Sequence, residues 1–251
     1  MITRAEDRAD HMAERLRSLG AEPIIYPTIA FVPPEDRGPL DAALQRLTEG
    51  GYDWLALTSA TAVKVLAETG LRVAEHKNLK LAAVGSATAA TCTDLLGVAP
   101  AVVPGKFVAE ALAEALGDIR EQRVLLANAD IARPTLEERL RATGALVDRV
   151  VAYRTVLATD SDIDLPALLA AGQIGAITFT SGSTVRYFVQ RIGPAALADA
   201  RRTIIACIGP ITAEAARELG LPPTIIATPS TEEGLIETLQ IYVKQQNEDS
   251  E

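Results

Sequence analysis

Aromatic side chains make up only 4% of this chain. With so few large rings, a core must be assembled from Ala, Val, Ile and Leu, which suits buried parallel strands under alanine-rich helices better than a β-sandwich. Cysteine is scarcer still. Cys92 and Cys207 stand far apart, with no C-x-x-C pair and no histidine cluster, so zinc and redox chemistry find no support and both read as small core residues. The two histidines, His11 and His76, lie singly on polar stretches and read as surface residues without a ligand role. No apolar run approaches the ~18 residues of a spanning helix, and the opening residues lack the apolar stretch of a signal peptide. A soluble protein of the cytoplasm, away from membranes, is therefore expected. Positive charge is also short: 24 Lys and Arg against 33 Asp and Glu leave a net charge of −9, the wrong sign for a nucleic-acid or anionic-membrane partner. An anionic small molecule would have to be held by local dipoles and a few arginines.

What the chain does have is an internal copy of itself. Phe179-Thr-Ser-Gly-Ser-Thr-Val-Arg-Tyr-Phe188 echoes Leu57-Thr-Ser-Ala-Thr-Ala-Val-Lys-Val-Leu66, and Glu14-Arg-Leu-Arg-Ser-Leu-Gly-Ala21 recurs as Glu138-Arg-Leu-Arg-Ala-Thr-Gly-Ala145. Val84-Gly85 with Thr88-Ala89 recurs as Ile208-Gly209 with Thr212-Ala213. The offset is about 124 residues, far beyond a solenoid period. Two similar α/β lobes follow, with the duplicated turns expected to face one another across a gap. From the repeat alone, the chain would be cut once near residue 121.

In order, residues 2–3 read as the tail of a first strand and 6–19 as a helix. Residues 23–32 are extended until Pro33-Pro34. Helix 40–47, strand 53–57, a helix to 68, strand 81–84, a helix to 95, strand 101–103 and helix 107–116 complete the first copy. The second runs strand 123–127, helix 134–142, extended 145–157, helix 165–171, strand 176–179, helix 182–192, strand 203–208, helix 212–219, strand 224–227 and helix 232–243. A polar, frayed tail at 244–251 ends the chain. Each copy thus reads as five βα units, consistent with a flavodoxin-like doubly wound parallel sheet.

The strand-to-helix turns carry the chemistry. An apolar strand ends in small hydroxyl residues, and Thr180, Ser181 and Ser183 sit where helix caps belong. Such a junction presents unpaired N–H groups and the positive end of a helix dipole, which bind carboxylate or phosphate without a lysine. Open α/β sheets bind their ligands at this end.

Taken together, Thr3-Arg4, Thr58-Ser59, Val84-Gly85 with Thr88-Ala89, Val151-Ala-Tyr153-Arg-Thr155, Phe179-Thr-Ser181, Ile208-Gly209-Pro210 and Pro229-Ser-Thr231 with Leu235 resemble the uroporphyrinogen-III synthase family along almost the whole chain. The resemblance implies two flavodoxin-like lobes joined by a two-stranded β-ladder. One lobe would hold residues 1–26 and 158–251, the other 34–148, with 27–33 and 149–157 as connecting strands. The implied reaction cyclises hydroxymethylbilane, a linear tetrapyrrole rich in carboxylates, to uroporphyrinogen III. Its last ring is inverted and water is lost through a spiro intermediate, and no cofactor or metal is needed. The implied protein is a monomer in transient contact with hydroxymethylbilane synthase.

Mapped by the same resemblance, Tyr153 is the proton donor to the leaving hydroxyl, since a phenol titrating near ~10 is a plausible acid and a poor base at neutral pH. Arg4, Thr58, Ser59, Ala60, Ser86, Thr88, Thr180, Ser181, Ser183 and Thr231 become substrate contacts, through hydroxyls and backbone N–H. The chain departs from the family pattern at Thr61, where asparagine is common, and at Asn128-Ala129, where Arg-Gly is common. Two α/β lobes with two connectors also describe an anion-binding protein without catalysis, a reading that turnover separates from the first.

Overall fold

Four-residue strands buried along their whole length, such as Trp54–Leu57, and helices whose apolar residues fall on one face are the raw material of this molecule. In the computed structural model, residues 1–5, 9–106, 108–159 and 161–248 are described. The expected helix starts at Glu6 and Phe107 and the last three residues of the expected tail lie outside them. In chain order the elements are α1 (Asp10–Ser18), β1 (Ile29–Val32), α2 (Gly38–Thr48), β2 (Trp54–Leu57), α3 (Ala60–Glu68), β3 (Lys80–Ala83), α4 (Ser86–Leu96), α5 (Ala109–Leu116) and β4 (Arg123–Ala129). Then follow α6 (Thr135–Ala142), β5 (Leu146–Leu157), α7 (Leu165–Ala170), β6 (Ala176–Phe179), α8 (Gly182–Ala200), β7 (Ile204–Cys207), α9 (Pro210–Glu218), β8 (Ile225–Ile226) and α10 (Glu232–Glu248).

Three expectations about elements change. The strand at 101–103 is a single parallel bridge from Val102 to Ala82. The polar tail is helical as far as Glu248, because α10 buries Leu235, Ile236 and Leu239 and carries its polar end along with them. Helix α8 does not stop at 192: Gly193, at φ 71° and ψ 173°, breaks it, and Pro194 starts a second segment that continues to Ala200. Only glycine takes that backbone conformation without strain, and proline is suited to the first position of the new segment.

The chain forms two compact units, Met1–Phe31 with Val156–Glu251, and Val32–Thr155. In the second unit β5, β4, β2 and β3 are neighbours and parallel, with Val102 beyond β3. In the first, Ile25 pairs with Ile2, Ile2 with Thr178 of β6, β6 with β7, and β7 with β8, again all parallel. Counted from Ile2 in one unit and from β4 in the other, both sheets have the spatial order 2-1-3-4-5 of flavodoxin-like folds. Neither sheet is built from one copy of the repeat. The first copy gives strands one and two to the first unit and strands three to five to the second; the second copy does the reverse. Both crossings between units run through β1 and β5.

The first unit packs both faces of its sheet. On one, Phe179 and Phe188 meet edge to face at 5.2 Å among Leu165, Val185, Ile205 and Cys207; on the other, Ile2, Met12, Leu16, Ala206 and Leu235 close the core. In the second unit Leu112, Val124, Leu126, Leu136 and Leu140 fill the corresponding space. Cys92 and Cys207 are fully buried, and burial pushes each thiol up to about 11. Among the described residues no helix is long and apolar enough to cross a membrane. Because the strands of each unit are parallel, their carboxyl ends form one rim, where α3 and α4, and in the other unit α8, α9 and α10, begin.

Candidate active site

On the rim of the second unit, β2 ends in Thr58-Ser59 and turns into α3. Ser59 is extended (φ −152°, ψ 149°), and its Oγ accepts from the Ala62 N–H at 3.2 Å, the geometry of a helix cap. The same Oγ lies 3.0 Å from the Tyr153 hydroxyl. Tyr153 belongs to β5, two strands away from β2 across β4, so only a long side chain spans the distance. Its direction comes from a register shift: Asn128 opposes Val151, but Ala129 opposes Tyr153, leaving Ala152 as an extra residue. Such a bulge re-aims the side chain that follows it. Tyr153 is 6% exposed.

The loop after β4 holds this tyrosine from the other side. Asp130 N–H donates to the Tyr153 carbonyl at 3.1 Å, and Asp130 Oδ1 accepts from Thr155 N–H at 3.0 Å. Arg149 braces the loop, donating to Ala132 O at 2.9 Å, Glu137 at 3.2 Å and Asn128 Oδ1 at 3.4 Å. Asn128 is buried and spends its carboxamide on Arg149. Neither Asp130 nor Arg149 stands out in the sequence, since both act on backbone that is remote until the strands pair.

The next turn differs. Gly85 caps α4 with no side-chain bond, leaving the first-turn N–H groups of that helix uncommitted to a capping side chain. Ser86 is exposed at the first helical position, whereas Thr88 is buried. Thr58 and Ala60 are partly exposed at their own turn.

The first unit repeats the pattern. Ser181 caps α8 in a reciprocal box with Thr184, its Oγ accepting from Thr184 N–H at 3.2 Å, and Ser183 Oγ lies 2.8 Å from Ser181 Oγ. Of the three hydroxyls expected at cap positions, Ser181 is the cap, while Thr180 precedes it, partly exposed. Gly209 caps α9 without a side-chain bond, as Gly85 does for α4. Beside it the loop from Thr228 to Thr231 packs closely. A Cβ on Gly209 would meet Ser230 Oγ at 2.5 Å, and one on Gly234 would meet the Pro229 carbonyl at 2.3 Å. Thr231 Oγ1 accepts from Gly234 N–H at 3.0 Å at the start of α10.

Arg4 follows the Ile2 strand, whose Thr3 hydroxyl donates to Thr178 O at 2.7 Å. The Arg4 guanidinium pairs with Glu232, the first residue of α10, and the other oxygen of that carboxylate lies 2.7 Å from His11 Nδ1. Sequence reading passes over Glu232 and leaves His11 without a role. No local signal marks a pair separated by 228 residues.

Chemically, the second rim joins a phenol to a serine hydroxyl at a helix start, and both rims carry glycine-capped helix N-termini able to bind anions. The family model described as uroporphyrinogen-III synthase HemD matches residues 10–237. The uroporphyrinogen-III synthase of Synechococcus elongatus is 30% identical over 98% of this chain and 95% of its own length. The porphyrin biosynthesis protein HemD of Ruminiclostridium josui is 31% identical over 95% of this chain, which spans 47% of that longer protein. Among solved structures, a mutant uroporphyrinogen III synthase of Thermus thermophilus superposes with a TM-score of 0.67, covering 97% of this chain and 98% of that one at 20% identity. The enzyme of Helicobacter pylori gives 0.60 over 87% and 92%, also at 20% identity. With two shared parallel-sheet units and a family match running from α1 into α10, the chain belongs to the uroporphyrinogen-III synthase family.

Proposed function

We propose that Tyr153 is the acid with which this synthase closes hydroxymethylbilane to uroporphyrinogen III. The reading is carried by the Tyr153–Ser59 pair, which puts a phenol at the carboxyl rim of a parallel sheet beside helix N-termini. The phenol protonates the leaving hydroxyl, which departs as water and leaves a cationic azafulvene on the first ring. The last ring attacks through its already substituted carbon to form the spiro intermediate, which fragments and recombines inverted. A proton is released when the closing ring regains aromaticity, so one water is lost overall and the acid is restored.

The carboxylates of the substrate bind at the turns. Ser59 and Ser181 already serve their own helices, so their contribution to substrate is shared with the cap. Gly85 and Gly209 leave the N–H groups of α4 and α9 to an incoming carboxylate, with Ser86 and Thr88 beside the first. Thr58, Ala60, Thr180, Ser183, Thr231 and Arg4 line the same turns. Since most of the donors are main-chain, single truncations among the hydroxyl side chains cost little. The protein works as a cytoplasmic monomer and takes its short-lived substrate through transient contact with hydroxymethylbilane synthase.

Incubation with freshly generated hydroxymethylbilane, followed by oxidation and separation of the uroporphyrin isomers, tests the reading. Isomer III in excess over the uncatalysed isomer I is expected. Isomer I alone, with tetrapyrrole bound and unchanged in rate, would leave an anion-binding protein.

A further inference from the structure

The first unit holds a carboxylate of its own where the synthase reading places one from the substrate. Arg4 and Glu232 have side chains 19% and 17% exposed. Thr3 is pinned by Thr178 and Thr28, so the backbone that carries Arg4 has little freedom. Glu232 directly follows Thr231, and both of its oxygens are engaged, one by Arg4 and one by His11. A carboxylate shared between a guanidinium and an imidazole, at the start of a 17-residue helix, is the arrangement an incoming substrate carboxylate would make.

We propose that Glu232 is a residue that sets substrate affinity in the cyclisation, an internal carboxylate that occupies Arg4 until a substrate carboxylate takes its place. The proposal rests on the reading of this chain as a synthase with Arg4 as a contact. Helix α10 does not depend on the ion pair for its start, because Thr231 already caps it through Gly234 and Leu235, Ile236 and Leu239 bury its apolar face. A competitor inside the site lowers affinity for every ligand by the fraction of time it leaves Arg4 open. A ligand with many carboxylates overcomes this through its other contacts, whereas one with a single carboxylate does not.

The experiment measures KM for hydroxymethylbilane in wild type, Glu232→Gln, Glu233→Gln, Arg4→Ala and the double variant Arg4→Ala/Glu232→Gln. Glu233 is the exposed neighbour in the same turn and loses the same charge without touching Arg4's partner. Removing the resident charge should lower KM about fivefold in Glu232→Gln. It should leave KM at the wild-type value in Glu233→Gln, and the gain should vanish once Arg4 is absent. A KM that rises or stays constant in Glu232→Gln overturns the proposal, as does an equal fall in Glu233→Gln or a gain that persists without Arg4. Uroporphyrin III binding, followed by its fluorescence, gives the same comparison as dissociation constants and needs no turnover. A wild-type protein that binds uroporphyrin III with this pattern but turns nothing over would refute the synthase reading and leave the competition intact. Should Glu232→Gln fold poorly, Glu232→Ala carries the same expectations.

Discussion

Replacing Tyr153 by Phe removes one oxygen and leaves the ring in place. The structural loss includes the contact with Ser59 Oγ at 3.0 Å. A hydrogen bond of this kind contributes about 1 kcal/mol net, so the melting temperature of a chain this size should fall by only ~2–4 °C. The chemical loss is much larger if the phenol is the acid: general-acid help is worth roughly 10²- to 10⁴-fold. That corresponds to about 3–5 kcal/mol of barrier. The two roles therefore separate by magnitude. Turnover of freshly made hydroxymethylbilane, with isomer analysis and a melting curve on the same preparation, decides between them. A kcat within about threefold of wild type with isomer III still formed would remove Tyr153 from the chemistry, because no acid worth about 3–5 kcal/mol is lost so cheaply.

Ser59→Ala deletes the cap of α3 as well as the partner of Tyr153, so a loss of about 0.5–2 kcal/mol in urea unfolding is expected, with kcat falling less than in Tyr153→Phe. Gly234→Ala would drive a methyl to within 2.3 Å of the Pro229 carbonyl; the forced shift should cost about 1–3 kcal/mol and raise KM, both measurable on one purified variant. Cys92 and Cys207, with thiols pushed up to about 11 by burial, should resist iodoacetamide in the native protein at mildly alkaline pH and react once it is unfolded in urea. Their raised values also set a sign. Stability is full below the ordinary thiol range and is lost as pH rises toward about 11, so the urea midpoint should fall over that interval.

Much of this molecule is local and can be read from the residues. Short apolar strands closed by Thr-Ser or Val-Gly and followed by helix patterns announce parallel βα units, because each turn is decided by neighbours a few positions away. Ser59 and Ser181 are recognisable as members of such turns for the same reason. The two turns that hold glycine at the cap are legible as turns, yet that Gly85 and Gly209 themselves occupy the cap position shows only in the backbone. Gly193, which breaks α8 without ending it, and the tail carried into α10 escape a sequence reading because local polarity is outweighed by what the helices bury.

The repeat by itself determined that two equivalent sheets exist, since like segments fold alike. It also suggested a seam near residue 121. Strand pairing decided otherwise: β4, on one side of that seam, lies beside β2 on the other, so each sheet takes strands from both copies. Hydrogen bonding between strands is blind to which copy a strand came from, and only the packed chain chooses the partner. The same holds for the side chains that matter most. Ser59 and Tyr153 are 94 residues apart, and Arg4 and Glu232 are 228. No periodicity links such positions; a register shift of one residue in β5 and the placement of α10 do, because they set where side chains point and what they can touch.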